Sequence, residues 1–179
     1  MISMVNGNKR FNETLKIVMF LGSTFVFFSL LMPHLIPHHW ILPDLGLILT
    51  IYCALFLSPG AGMFLSLFAG AYMGGFSSSP LEYMVFYGLI FEGIRFASSY
   101  IQMKTLRYSL LLSFFLELVL GGIFATEIYL AQGGIYPLVE LVNIVLYQSL
   151  LTALVACPVF WVFNLITFRR FILSDRIDR

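Results

Sequence analysis

Charge is what this sequence has least of. Ten Lys and Arg and nine Asp and Glu make up 11% of 179 residues, whereas a soluble domain uses about a quarter. That shortage excludes a water-covered globule. The formal net charge of +1 gives no basic field for nucleic acid, and none is expected as a partner. Cysteine is nearly absent too. Cys53 and Cys157 sit in apolar runs without C-x-x-C spacing, which excludes a zinc ribbon or a disulfide framework and leaves two small hydrophobes. The chain has no G-x-x-x-x-G-K-[ST] phosphate loop, no H-E-x-x-H zinc helix and no G-x-S-x-G elbow.

Two weaker catalytic patterns also fall short. Glu92–Arg95 reads EGIR, but the second glutamate and helical histidines of an intramembrane protease are missing. A Cys53–Arg95–His34 transpeptidase set would need a basic neighbour to activate the thiol, and Cys53 has none in sequence. His34, His38 and His39 cluster after the first apolar run, but two adjacent histidines usually point apart and make a weak metal signal. The expectation is a protein without catalysis, cofactor or metal.

What the chain has is hydrophobicity, at 60% of residues with a mean hydropathy of +0.93. Crossing a bilayer takes about 20 apolar residues, with a range of roughly 17–25. Six runs approach or reach this, at about 15–32, 41–58, 61–76, 81–102, 108–129 and 138–168. The breaks have chemical causes: Pro33, Pro37 and Pro43 after the first run, and Pro59–Gly60 after the second. Gly75 with Ser77–Ser79 and Pro80 end the third, Lys104 and Arg107 the fourth, and Gly133, Gly134 and Pro137 the fifth. The fold class is all-α, a polytopic membrane bundle of about six transmembrane helices. The second and third runs are short and tightly joined, so a re-entrant pair is the alternative there.

Basic residues orient the bundle. Lys9, Arg10 and Lys16 precede or open the first run, Lys104 and Arg107 follow the fourth, and Arg169, Arg170, Arg176 and Arg179 follow the sixth. An even number of spans puts all of these on one side and both termini in the cytoplasm. The first run has no A-x-A cleavage site and reads as an uncleaved span. The organisation is then a cytoplasmic segment 1–14, a six-helix domain 15–168 and a basic tail 169–179.

Polar residues inside apolar runs are costly and worth following. Gly88, Glu92, Arg95, Ser99 and Gln102 recur at helical spacing, as do Ser109, Ser113, Glu117 and Gly121. A network of Glu92, Arg95, Ser99 and Glu117 is expected, with Arg95 between two acids. Its plainest role is to lock helices together; an ion or ligand path and a contact to another membrane protein are the alternatives. Gln148 and Thr152 form a second polar pair, and Pro158 is a candidate kink. Asp44, directly after Pro43, suits a helix N-cap. Trp40, Tyr83, Tyr129 and Tyr136 suit an interfacial belt on the outer side, where Glu82, Glu127 and Glu140 also fall.

The stretch PDLGLILTIYCALFLSPGAGMFLSLFAGAYMGGFSSSPLEY, from Pro43 to Tyr83, resembles the rod shape-determining MreD family of bacterial inner-membrane proteins. Pro43–Asp44 matches that family's span-opening PD, Gly70 its glycine-rich span, and Ser77 through Leu81 the serine–proline–leucine segment after it. Ala156 to Pro158 matches the alanine–proline step of its last span. Two positions depart from the pattern: Gly74 stands where many members have an aspartate, and Glu82 where many have glycine.

The resemblance implies a multi-pass protein of the bacterial inner membrane and a fold similar to the substrate-binding subunits of energy-coupling factor transporters. It also implies a non-catalytic scaffold or regulator of lateral peptidoglycan synthesis and rod shape. Its partner would be an MreC-type single-span protein with a periplasmic coiled coil. Through that protein it would act on a wall-synthesis glycosyltransferase and transpeptidase and on actin-like MreB filaments. Candidate positions for partner contact or close helix packing are Asp44, Gly70, Gly74, Gly75 and Pro80. A homo-oligomer is also compatible with such a surface. The alternative function is a vitamin-transporter substrate subunit, with Glu82, Glu127, Glu140 and Asn143 as the pocket polar groups.

Overall fold

The computed structural model describes residues 2–35, 42–75, 80–100, 106–131, 133 and 137–177, with side-chain surroundings for 12–34, 42–75, 80–100, 108–131, 133 and 137–165. His38, His39, Trp40, Ser77–Ser79, Gln102, Lys104 and Tyr136 lie outside the described residues. The described chain is a bundle of six helices: α1 (Ile2–Leu35), α2 (Leu45–Phe56), α3 (Pro59–Gly74), α4 (Pro80–Tyr100), α5 (Leu106–Ala131) and α6 (Leu138–Ile177). Helix continues through both ends, because α1 begins at Ile2 and α6 runs to Ile177. The boundaries expected near residues 14 and 169 are therefore not breaks in secondary structure.

The six helices are unequal. Stretches of α1, α5 and α6 (Asn12–His34, Tyr108–Ala131 and Leu138–Leu165) are long and apolar enough to cross a membrane. Helix α4 has 21 residues but carries Glu82, Glu92 and Arg95. The 12 residues of α2 and 16 of α3 rise only about 18 Å and 24 Å at 1.5 Å per residue, short of the ~30 Å hydrocarbon core.

The shortest helix lies at the centre. Helix α2 touches all five others, and every residue from Leu45 to Leu55 is buried. Its sequence LGLILTIYCALF has no charged residue and no polar face, the signature of a helix enclosed on all sides. Helices α3 and α4 pack on it and most closely on each other, while α5 and α6 form a second pair closing its remaining side. Helix α1 packs against α2 and α3 and leaves Met19, Phe27 and Leu30 exposed. Phe115, Val119, Leu154 and Trp161 are exposed on α5 and α6, a surface suited to lipid.

Lipid tails are as apolar as leucine, so burial of apolar area drives helix association weakly there, and close backbone approach matters more. Glycines supply that approach. A Cβ on Gly70 would stand 2.7 Å from the Tyr83 carbonyl oxygen and 2.8 Å from Met84 Cα. One on Gly74 would stand 2.6 Å from Pro80 Cα, so Gly70, Gly74 and Pro80 meet at the α3–α4 seam. Gly62 lies under Phe91 and the Cys53 carbonyl. Gly75 differs: it is exposed, its amide closes the end of α3 on the Ala71 carbonyl, and an added Cβ would meet only carbonyls of that same turn.

Gly70→Ala is therefore expected to force α3 from α4 and lower stability by about 1–3 kcal/mol, the usual cost of overpacking. Gly93→Ala, where an added methyl meets nothing within 4 Å, is expected to be neutral or slightly stabilising. Thermal unfolding of both variants in one detergent checks this, and equal melting temperatures would contradict it.

Candidate functional site

A buried helix end leaves backbone N–H groups that must find acceptors. At the start of α2, Asp44 Oδ1 accepts from the Leu47 N–H at 2.8 Å. Asp44 Oδ2 accepts from the Tyr87 hydroxyl of α4. The Asp44 backbone N–H donates to Thr152 Oγ1 of α6 at 2.9 Å. Asp44, Tyr87 and Thr152 are all buried. One residue thus caps α2 and ties it to α4 and α6. The negative carboxylate also complements the positive end of the helix dipole.

The other end of α2 meets Arg95. Its Nη1 donates to the Leu57 carbonyl at 3.3 Å, and its guanidinium carbon lies 5.7 Å from the centre of the Phe91 ring. A cation at a helix C-terminus is the complementary arrangement. Helix α4 therefore addresses both ends of α2, through Tyr87 and through Arg95.

This corrects the expected network. Among the described residues Arg95 forms no ion pair with Glu92 or Glu117. Glu92 and Ser99 are exposed, and Ser99 donates to the Phe96 carbonyl of its own helix. The physical reason is the choice of buried face. Tyr87, Gly88, Phe91 and Ile94 turn inward on α4, and successive residues differ by about 100° around a helix, so Glu92 is carried out. The α5 stripe does face inward: Ser109, Ser113 and Glu117 are buried, with the Ser113 hydroxyl on the Ser109 carbonyl.

Glu117 comes to Asp44 rather than to Arg95. Both line a cavity of about 230 Å³ between α2, α4, α5 and α6, shared with Tyr83 and Gln148. Leu120, Phe124, Ile128, Leu141 and Ile144 form its apolar walls. Glu117 is 2% exposed, and its Oε2 has no hydrogen-bond partner among the described residues. Tyr83 stacks on Phe124 with ring centres 4.6 Å apart, an inner position instead of a place in an aromatic belt. The polar groups expected in a transporter pocket fall elsewhere: Glu82, Glu127, Glu140 and Asn143 are exposed and none lines this cavity. Among the described residues no group of three His, Cys, Asp or Glu side chains could hold a metal ion.

Sequence reasoning named Asp44, Glu117, Gln148 and Thr152 but in separate contexts. It missed Tyr87, which looks like any core aromatic. The available signal was its α-helical spacing of four from Phe91 on a run whose other inward residues are apolar. No family model matches the chain, and no curated protein or solved structure matches it.

Asp44→Ala is expected to cost about 2–4 kcal/mol, combining a lost N-cap with a buried phenol left without its acceptor. Arg95→Leu removes one long hydrogen bond and a ring contact and is expected to cost about 1 kcal/mol. Glu117→Gln breaks no pair and removes a buried unpartnered carboxyl, and is expected to leave stability equal to or above that of the parent. Chemical or thermal unfolding in detergent ranks the three; a larger loss for Arg95→Leu than for Asp44→Ala would contradict the assignment.

Proposed function

We propose that this chain is a non-catalytic scaffold or regulator of lateral peptidoglycan synthesis and rod shape in the bacterial inner membrane. It crosses the membrane an even number of times with both termini cytoplasmic, and it works with an MreC-type single-span partner. One observation carries the reading. The residues that bear the family resemblance converge on the packing around α2. Asp44 caps it, Gly70 seats α3 against α4, and Ala156 is buried on α6 beside Thr152. A sequence pattern concentrated on helix packing suits a protein whose work is to hold a shape for a partner. The exposed apolar faces of α1 and α5 offer a membrane-spanning partner helix surfaces of the right chemistry.

The cavity beside Asp44 favours a second reading, a substrate-binding membrane subunit of an energy-coupling factor vitamin transporter. The two readings differ in their partners. Tagged protein purified from its native cells in mild detergent is expected to bring down a single-span coiled-coil protein and wall-synthesis enzymes. Depletion is expected to round the cells. Recovery of a transmembrane coupling protein with two ATPases, and unchanged cell shape, would overturn the scaffold reading in favour of the transporter one.

A further inference from the structure

The cavity between α2, α4, α5 and α6 has walls and polar groups that the packing of the bundle does not use. Four buried hydroxyls have partners of the usual kind: Ser66 bonds Gly62, Ser113 bonds Ser109, Ser149 bonds Val145, and Thr152 takes the Asp44 amide. Among the described residues the unpartnered buried atoms are the hydroxyls of Ser29 and Thr50 and one carboxyl oxygen, on Glu117. Glu117 is the ionisable one of the three. It is 2% exposed, its Oε2 is unpartnered, and it lines the cavity. A buried carboxyl without a donor or counter-charge is tolerated as the neutral acid and becomes a carboxylate only beside a group that supplies both; the cavity next to Glu117 has room for such a group.

The lining specifies the group. Two carboxyl side chains, Asp44 and Glu117, face the space, and no Lys, Arg or His among the described residues does. Both oxygens of Asp44 are already engaged, by the Leu47 amide and the Tyr87 hydroxyl, which leaves Glu117 as the acceptor. The phenol of Tyr83 and the amide of Gln148 border the same space. The remaining wall is hydrocarbon and the ring of Phe124, unlike the all-oxygen shell that a small metal cation requires. At about 230 Å³ the space is smaller than the ~300–1,000 Å³ of pockets for drug-sized ligands.

We infer that this cavity binds a small organic ammonium ion, its nitrogen on Glu117 and its apolar body against Phe124 and the α5–α6 wall. The ammonium donates to Glu117 Oε2, and the Tyr83 ring and Gln148 carbonyl oxygen flank it. The carboxylate gains its missing donor and counter-charge in one contact. The inference stands apart from the choice between scaffold and transporter subunit, because the binding event requires no partner protein.

The test uses the purified full-length chain in detergent, with phenethylammonium chloride as the probe. Phenethyl alcohol and hydrocinnamate are its neutral and anionic counterparts, and sodium chloride is the inorganic control. Calorimetric titration and thermal shift are expected to show saturable binding of the ammonium probe alone. Glu117→Gln is expected to weaken it by roughly tenfold or more, the scale of a lost charge-assisted hydrogen bond. Gln148→Leu, at the edge of the space, is expected to weaken it several-fold, with the fold checked by an unchanged melting temperature of the free protein. The inference is overturned by equal binding of the alcohol, by full competition from sodium at equal ionic strength, by undiminished binding in Glu117→Gln, or by no binding of the ammonium probe to the folded parent.

Discussion

Asp44 is the contact on which the rest of the bundle depends. A twelve-residue helix enclosed by five others presents unpaired N–H groups where water cannot reach them. An acid immediately before its first turn answers one of them and complements the dipole. The same side chain takes the Tyr87 hydroxyl, and its own amide reaches Thr152. Three helices are fixed by one residue, and Arg95 addresses the opposite end through the Leu57 carbonyl. In an apolar surrounding each such bond lacks competition from water, and leaving any of them unmade is costly.

The architecture around α2 divides the labour between shape and chemistry. Helices α3 and α4 approach through glycine, with backbone against backbone, and form the closely packed half of the bundle. Helices α5 and α6 bring the polar residues, Glu117, Gln148 and Thr152, to the side of α2 where Asp44 sits. The scaffold proposal draws on this closely packed half and on the exposed apolar exterior. The ligand inference draws on the gap between the two halves, where packing leaves a carboxylate unused.

Helix number and rough boundaries were legible because proline, glycine and charge interrupt apolar runs at each turn. The N-cap role of Asp44 was legible from Pro43–Asp44 preceding an uncharged run. The short, fully enclosed character of α2 was harder to read. An apolar run that continues through Ile41 and beyond Phe56 looks like a span until Pro43 and Ser58 are given their full weight. The Glu92–Arg95–Glu117 network failed because spacing of three or four shows which residues share a face but not which face turns inward. On α4 the aromatic residues Tyr87 and Phe91 decide that. The pairing of Asp44 with Tyr87 joins residues 43 apart, and its partnership with Thr152 spans 108. No local pattern reports either contact.

The central claim is that α2 is sealed inside the bundle, and Cys53 at its middle is the natural reporter. It is fully buried, while the only other thiol, Cys157, is half-buried on α6. In a Cys157→Ala background, a fluorogenic thiol probe added to the detergent-solubilised protein reads Cys53 alone. The account predicts no labelling of the folded protein on warming, then one cooperative rise as the bundle opens. Labelling of Cys53 at low temperature, before any loss of helical signal, would contradict it.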